Sequence, residues 1–150
     1  MSSARARLRV GVIGTGLVAQ VMHLPYLCEL DDLFEVRALC DSSPSVLEHC
    51  GRRFGLDRLF TDWRRLLEEE LDAVIVLTSG SHAAPALAAA QAGMHVLVEK
   101  PMCFSVAEGA AMIGAAARSG VVLMVGYPKR YNPAYGRTCE VVGGLADLRF

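Results

Sequence analysis

The first residues that could bind a ligand form a glycine-rich loop in residues 8–19, with the sequence LRVGVIGTGLVA. An apolar stretch typical of a buried strand leads into Gly14-x-Gly16-x-x-Ala19, and a helical pattern follows. This order predicts a pyrophosphate site, because glycines let backbone N–H groups approach phosphate oxygens and a helix N-terminus carries partial positive charge. The alternative is an ordinary strand–turn–helix corner. The candidate phosphate-binding residues are Gly14, Thr15, Gly16, Leu17 and Val18.

A carboxylate follows the second predicted strand, where it could meet the same ligand. Asp41 lies about 20 residues beyond the glycine loop, the spacing at which an acid accepts hydrogen bonds from the ribose hydroxyls of a dinucleotide and repels a 2′-phosphate. Asp41 therefore favours NAD as the cofactor. The hydroxyl of Ser42 tolerates a phosphate and keeps NADP as the alternative. A turn or helix-capping aspartate is the competing interpretation.

Polar side chains also follow the later predicted strands. The carboxyl ends of parallel strands share one edge of a sheet, which is where open α/β sheets bind their ligands. We therefore expect these side chains to meet in one crevice. They are Thr78 and Ser79 with His82 at the next helix start, Glu99 with Lys100 and Pro101, and Arg130 with Tyr127.

The composition is that of a folded, nearly neutral domain. The 150 residues carry a net charge of −1, 53% of them are hydrophobic, and the mean hydropathy is +0.33. These values argue against a disordered chain. Since no basic tract exists beyond Arg5, Arg7 and Arg9, we expect no nucleic-acid partner. No apolar run reaches the roughly 18 residues that span a bilayer, so we expect no membrane insertion.

Cysteine and histidine usage favours a reducing compartment and no metal site. The five cysteines are scattered without a C-x-x-C pair, which is typical of reduced thiols in a cytoplasmic protein. The four histidines lack metal-ligand spacing. The N-terminal apolar stretch is short and interrupted by glycine, unlike a signal peptide, and this supports the cytoplasmic expectation.

Apolar runs and turn residues predict strands that alternate with helices. Pro25 lies inside the first helix and should kink or break it. A further strand is expected to begin within residues 145–150. The other strands are predicted over residues 8–13, 34–40, 58–60, 72–78, 95–98 and 121–125, and the helices over 17–30, 44–54, 62–70, 82–92, 105–119 and 134–142.

This alternation predicts an α/β Rossmann fold, a doubly wound parallel sheet with strand order 3-2-1-4-5-6 and helices on both faces. The ligand crevice is expected near the first and fourth strands, where the strand order reverses. We expect a dinucleotide-binding domain over residues 1–128. Residues 129–150 are expected to form a connecting segment and the start of a truncated C-terminal α/β domain. The apolar composition is consistent with a face that such a domain would cover.

Three stretches resemble the Gfo/Idh/MocA oxidoreductases, the group of glucose–fructose oxidoreductase and inositol dehydrogenase. The resemblance extends over residues 8–150, and the pattern AG-x-HV-x-x-EKP is specific to that group. It implies the N-terminal domain of an NAD(P)-dependent dehydrogenase. The matching stretches are GVIGTGLVA in residues 11–19, His82 followed by AGMHVLVEKP in residues 92–101, and VGYPKRYNP in residues 125–133.

The resemblance implies that Lys100 is the catalytic residue, beside the nicotinamide and the substrate carbon. An ammonium group there would polarise the substrate oxygen, and loss of hydride from a carbinol carbon is helped by a base that takes the hydroxyl proton. Glu99 is implied to be a cofactor-side or positioning residue, and Pro101 fixes the backbone after the strand. The alternative is that Glu99 and Lys100 form a solvated pair at a strand end.

The same resemblance implies that His82 lines the cofactor site and that Arg130 borders the nicotinamide or the substrate. A packing or helix-capping histidine and a surface arginine are the alternatives. Thr78 and Ser79 stand where the family usually has a Thr-Pro-Asn-like loop, so the chain departs from the family pattern there.

The function implied by the resemblance is hydride transfer to or from a CH–OH group of a sugar, cyclitol or related polyol. NAD is the expected cofactor, with NADP as the alternative. The expected partners are this small-molecule substrate and further copies of the chain in a homo-oligomer. The competing function is a non-catalytic dinucleotide-binding module that lacks the substrate domain.

Overall fold

Six parallel strands form a single sheet in the computed structural model, which describes residues 6–144. The strands are β1 (Leu8–Ile13), β2 (Phe34–Cys40), β3 (Leu59–Phe60), β4 (Ala73–Val76), β5 (His95–Glu99) and β6 (Leu123–Gly126). Their spatial order is β3-β2-β1-β4-β5-β6, which confirms the predicted Rossmann fold. At the centre, Val12 of β1 lies opposite Leu39 of β2 and Ile75 of β4.

Helices connect the strands and begin and end where local side chains favour it. Asp62 and Ser105 each accept a backbone N–H as helix N-caps, and Gly55 and Gly120 end their helices in the left-handed conformation. No helix within residues 6–144 is long and apolar enough to cross a membrane. The helices are α1 (Leu24–Glu29), α2 (Pro44–Phe54), α3 (Trp63–Leu66), α4 (Ala83–Gln91), α5 (Val106–Ser119) and α6 (Pro133–Gly143), with a π-helical turn at Ala19–His23 and a 3₁₀ turn at Pro128–Tyr131.

The sequence predicts a kink or a break at Pro25, and the helix that follows the glycine loop continues through this residue without a break. A π-helical turn, Ala19–His23, leads directly into α1, and the N–H of Leu24 donates to the Ala19 carbonyl oxygen five residues back. Pro25 lies in the first turn of α1, where its missing N–H is tolerated.

Helices cover both faces of the sheet, as predicted. The helices α1 and α2 pack on one face against β1 and β2, and α3, α4 and α5 pack on the other. Each face has its own buried apolar cluster. The first includes Val12, Leu24, Leu39, Leu47 and Ile75, and the second includes Leu66, Val76, Ala86, Val98 and Met112.

The first face of the sheet is uncovered beside α1, over β4, β5 and β6. An apolar groove lies there, with Ile75, Leu97 and Met124 on its floor and Tyr26 and Leu30 on its α1 side. All the residues of α6 are exposed, so this helix does not bury an apolar face against the sheet. A groove of this kind is typical of a surface that another structural element covers.

Several element boundaries differ from the sequence prediction, and three of the differences have consequences for the packing. The helix predicted over residues 62–70 ends at Leu66, and the Glu69 and Glu70 side chains beyond it pair with Arg58 and Arg9. The fourth strand spans Ala73–Val76 rather than residues 72–78. The sixth strand starts at Leu123 because the preceding N–H groups are taken by the α5 C-terminus and by His95. The strand expected from residue 145 lies outside the described residues.

An ion pair joins β1 to the start of β4 at the edge of the sheet opposite the predicted crevice. Arg9 donates from Nε and Nη2 to the Asp72 carboxylate at 3.0 and 2.8 Å, and the Arg9 backbone N–H donates to the same group. These hydrogen bonds from Arg9 lower the pKa of Asp72 to about 2. A bidentate pair of this geometry fixes the relative position of two central strands.

We expect Asp72→Asn to destabilise the protein by about 1–2 kcal/mol at pH 7, and we expect this difference to vanish in acid. The folded pKa lies below the ordinary value, so the carboxylate stabilises the fold above about pH 5 and this contribution is lost as the pH falls towards 2. Urea unfolding at several pH values measures it. Glu70→Gln removes the exposed partner of the same arginine and should change stability by less than about 0.5 kcal/mol.

Candidate functional site

The glycine loop lies at the carboxyl end of β1, with its two glycines facing opposite surroundings. Gly14 has a φ of +96°, and a Cβ there would lie 2.7 Å from the Leu77 carbonyl carbon and 2.8 Å from the Thr78 nitrogen. A Cβ on Gly16 would meet nothing within 4 Å. Gly14 is therefore required by the approach of the loop to the end of β4. Gly16 leaves open space in front of the backbone, as a phosphate cradle needs.

Asp41 holds the glycine loop from the end of β2. Its Oδ2 accepts from the Thr15 backbone N–H at 2.7 Å and from the Thr15 hydroxyl at 3.1 Å. Its Oδ1 accepts from the Ser43 N–H at 2.9 Å. Thr15 is fully buried and faces this carboxylate rather than open space. Ser42 is exposed beside the carboxylate and away from the residues that line the cleft.

A single cleft at the carboxyl edge brings together most of the predicted site residues. The glycine loop and the start of the first helix form one wall, the loop after β4 forms another, and the segment after β5 forms a third. Phe104 and Met22 add exposed apolar surface that the sequence analysis did not identify. The predicted residues that line the cleft are Gly16, Leu17, Val18, Thr78, Ser79, His82, Glu99, Lys100 and Pro101.

Thr78 carries an unpaired polar atom in the wall of this cleft. Its Oγ1 is the one side-chain oxygen or nitrogen within residues 6–144 that is buried, in a residue that is not exposed, without a hydrogen-bond partner. Leaving such a hydroxyl unpaired costs free energy. A polar ligand in the cleft would provide the missing partner, so the residues present fit a bound dinucleotide.

Glu99 is half-buried at the end of β5, and both of its carboxylate oxygens are engaged. Oε1 lies 3.0 Å from Nε2 of His23, and Oε2 accepts from the Lys100 backbone N–H at 3.0 Å. Burial acts to raise the pKa of Glu99, but the hydrogen bonds from His23 and Lys100 outweigh it and lower the pKa below its usual value. Glu99 is therefore an anion at neutral pH.

His82 connects the loop after β4 to the segment after β5. Its ring is buried, and Nδ1 lies 2.8 Å from the Pro101 carbonyl oxygen. Because a carbonyl oxygen can only accept, Nδ1 carries the hydrogen. His82 stands at the N-cap of α4 without making a side-chain cap. It holds Pro101, and thereby the backbone next to Lys100, against the cleft.

Lys100 also borders a second concavity, which contains Arg130. This concavity lies between the segment after β5 and the turn before α6, and Lys129 and Tyr135 line it as well. Arg130 is thus separated from the dinucleotide cleft but shares Lys100 with it. Lys100, Lys129 and Arg130 have no carboxylate partner among the ion pairs formed within residues 6–144.

This arrangement suits a reaction at the meeting point of two ligands. One cleft runs from the open space in front of the Gly16 backbone to the exposed side chain of Lys100. A second ligand in the neighbouring concavity would reach the same ammonium group. A cation there can stabilise negative charge on an oxygen or, once deprotonated, accept a proton from a hydroxyl.

The contact of Glu99 with His23 was not predicted from the sequence. The resemblance noted for residues 8–150 includes His23, but no chemistry follows from its position in the first helix. The structure shows that His23 ends the π-helical turn and that its side chain contacts a residue 76 positions away, Glu99. A polar residue on an otherwise apolar helix face was the one signal available.

A family model described as an oxidoreductase family with an NAD-binding Rossmann fold matches residues 8–127. Among curated proteins, D-apiose dehydrogenase of Paraburkholderia graminis is 37% identical over 130 residues, which cover 85% of this chain and 34% of that protein. Myo-inositol 2-dehydrogenase of Thermotoga maritima is 29% identical over 137 residues, with 90% of this chain and 40% of that protein covered. The chain thus spans little more than a third of the length of these relatives.

A solved structure resembles the fold closely. The WlbA dehydrogenase from Bordetella pertussis, in complex with NADH and UDP-GlcNAcA, superimposes with a TM-score of 0.84 at 29% identity. The superposition covers 92% of this chain and 42% of that chain. More than half of that chain is left unmatched.

The two glycines of the loop should respond differently to alanine. Gly14→Ala should destabilise the fold by more than about 2 kcal/mol, because its positive φ and the Leu77 backbone both oppose a Cβ. Gly16→Ala should change the stability by less than about 0.5 kcal/mol. It should nevertheless weaken NADH binding by about tenfold or more, because the methyl group fills the space before the backbone N–H groups. Thermal unfolding and NADH fluorescence titration measure the two effects, and unchanged NADH affinity in Gly16→Ala would reject the phosphate cradle.

Proposed function

This chain belongs to the Gfo/Idh/MocA oxidoreductase family, and from that premise we propose that it is the NAD-binding part of a dehydrogenase. The reaction is hydride transfer to or from a CH–OH carbon of a sugar, cyclitol or related polyol. The observation that carries the proposal is the single cleft in which the open glycine cradle and Lys100 meet. D-apiose dehydrogenase and myo-inositol 2-dehydrogenase, both similar to the chain, support this substrate class.

The proposed orientation of the cofactor places its pyrophosphate at the glycine loop and its nicotinamide at the Lys100 end of the cleft. The pyrophosphate would lie on the backbone of Gly16, Leu17 and Val18 at the start of the first helix. The adenosine ribose would extend beyond the residues that line the cleft to Asp41, which directly follows β2. The nicotinamide end would lie near Thr78, whose hydroxyl lacks a partner within the described part of the chain, and near Lys100. Bound NAD would supply the hydride acceptor.

Lys100 is the proposed catalytic residue. Its ammonium group is exposed at the junction of the cleft and the second concavity, where a substrate hydroxyl could reach it. In alcohol oxidation the deprotonated amine of Lys100 would take up the hydroxyl proton, and in carbonyl reduction the ammonium form would donate a proton to the oxygen. Arg130 and Lys129 would bind the oxygen atoms of the substrate from the far wall of the concavity.

We propose NAD rather than NADP as the cofactor because a negative charge, the Asp41 carboxylate, lies at the end of β2. The Asp41 carboxylate has no cation paired with it within residues 6–144, because Arg52 pairs with Glu48 and Arg53 lies over the Phe54 ring. An uncompensated anion at this place repels a 2′-phosphate. The ribose hydroxyls can still donate to Asp41, since a carboxylate accepts about four hydrogen bonds and three of its sites are in use.

The remaining parts of the proposal concern the cellular location, the oligomeric state and the domain division of the protein. We infer a cytoplasmic location, supported by five free cysteines. A homo-oligomer is supported by the apolar groove beside α1. The proposed division has the dinucleotide-binding domain over residues 1–128 and a connecting segment after it. The second candidate function is a dinucleotide-binding module without turnover.

Calorimetric titration should detect NADH binding and at least about tenfold weaker binding of NADPH, because Asp41 repels the extra phosphate. Asp41→Asn removes the charge and should reduce the ratio of NADH affinity to NADPH affinity. The ratio should fall even if the binding of both ligands weakens because the contact with Thr15 is loosened. Glu29→Gln neutralises an exposed acid of α1 and should leave the ratio unchanged. A preference of the wild-type protein for NADPH would contradict the assignment of Asp41. Failure to bind either cofactor would contradict the proposed function.

A panel of sugars and polyols with NAD should identify a substrate through the growth of NADH absorbance. Lys100→Met should then lower kcat by about 100-fold or more, because the proton of the substrate hydroxyl loses its acceptor, while NADH affinity stays within a few fold. Arg118→Met changes an exposed cation on α5 and serves as the matched control. Unchanged kcat in Lys100→Met would remove its catalytic role. NADH binding without turnover of any substrate would favour the non-catalytic module.

A further inference from the structure

The Glu99 side chain forms the partition between the cofactor cleft and the apolar groove beside α1. Glu99 lines both cavities, whereas His23 lines the groove and Lys100 lines the cleft. The carboxylate is thus in contact with one residue on each side. On the groove side Oε1 meets Nε2 of His23, and on the cleft side Oε2 accepts from the backbone N–H of Lys100.

Three elements meet at this carboxylate: β5, β6 and the π-helical turn. Glu99 pairs with Gly126 of β6 in the sheet register, and a Cβ on Gly126 would lie 3.3 Å from Oε1 of Glu99. The glycine therefore leaves the room in which the carboxylate lies. On the other side, the π-helical turn Ala19–His23 ends at His23, whose side chain and that of Glu99 are each 19% exposed. Single π-helical turns are frequent at functional sites.

The contact with His23 is needed because the groove around it is apolar. A half-buried carboxylate without a partner costs considerable free energy and would turn towards water. Since Glu99 is ionised, Nε2 of His23 must donate the hydrogen of this contact. With His23 in place, the carboxylate stays beside Gly126, and its second oxygen stays on the Lys100 backbone.

We propose that His23 is a positioning residue for the nicotinamide end of the cleft, acting through the Glu99 carboxylate on the backbone of Lys100. This inference rests on the proposed function, because it assigns the cleft to a nicotinamide dinucleotide. His23 itself does not line the cleft and touches neither the cofactor nor the substrate. Its effect is to fix where the Lys100 side chain begins.

The test compares two ligands that share the adenosine and pyrophosphate. NADH reaches the Lys100 end of the cleft, whereas ADP-ribose lacks the nicotinamide. His23→Leu should weaken NADH binding by about tenfold, because the backbone of Lys100 is no longer held at the nicotinamide end, and should leave ADP-ribose binding unchanged within about twofold. His23→Gln keeps an N–H donor and should recover most of the NADH affinity. His49→Leu, the same change on the exposed surface of α2, should affect neither ligand.

A second readout follows the carboxylate directly. The backbone amide of Lys100 donates to Glu99, so its NMR chemical shift should titrate with this group. His23→Leu should raise the pKa of Glu99, because burial raises it and the lost hydrogen bond lowered it. The other titratable side chains around the pair are Tyr26, His95, Tyr127 and Tyr131 in the groove and His82 and Lys100 beside the cleft.

The possible outcomes distinguish a failure of the His23 positioning role from a failure of the proposed dehydrogenase function. Unchanged NADH affinity in His23→Leu, or an equal loss for NADH and ADP-ribose, would overturn the positioning role while leaving the dinucleotide site intact. Equal wild-type affinities for the two ligands would overturn it as well, because the nicotinamide end would then contribute nothing. Binding of neither ligand by the wild-type protein would overturn the proposed function and this inference together. A selective loss for NADH with recovery in His23→Gln supports the proposal.

Discussion

The approach of the glycine loop to the end of β4 is the constraint on which the cleft depends. The Gly14 backbone comes so near to Leu77 and Thr78 that a single Cβ would collide with main-chain atoms. The strand order reverses at this point, with β2 and β3 on one side of β1 and β4, β5 and β6 on the other. The walls of the cleft come from both halves of the sheet, so they can meet only if β1 and β4 are adjacent and their end loops pass closely.

Two carboxylates at the strand ends hold different segments of the cleft in place. Asp41 accepts hydrogen bonds from the buried Thr15 and from Ser43, and so fixes the loop from beneath while Gly16 faces open space. Glu99 fixes the backbone at Lys100. Both groups are anions at the edge of the sheet where the strands end. Each carboxylate orients main-chain atoms around the cleft.

The distribution of polar and apolar contacts follows the direction of the parallel strands. At the amino edge, Arg9 and Asp72 form a fully engaged ion pair that joins two central strands. At the carboxyl edge, Thr78 keeps an unpaired hydroxyl and Lys100 keeps an exposed ammonium group. Hydrogen-bonding capacity is thus satisfied where the structure is stabilised and left open where a ligand is expected. The apolar groove beside α1 adds a second unsatisfied surface, and it accounts for part of the high apolar content.

The sequence by itself determined the sheet and the edge at which ligands would bind. Buried parallel strands appear as apolar runs, so β1 and β2 matched their predicted ranges, and glycines and caps marked the ends of the connecting helices. The convergence of polar residues at the carboxyl edge followed from strand order, which right-handed crossovers restrict strongly. These features depend on short stretches of sequence and on general rules of chain connection.

Tertiary structure decided which way individual side chains face and what they contact. It turned Thr15 inwards to Asp41, kept the first helix continuous through Pro25, ended α3 at Leu66 and separated Arg130 from the dinucleotide cleft. It also joined His23 to Glu99 across 76 positions of sequence. None of these follows from local pattern, because each depends on the distance between segments that only the folded sheet brings together. Local sequence sets the propensity of a segment, and packing decides among the partners that its side chains can reach.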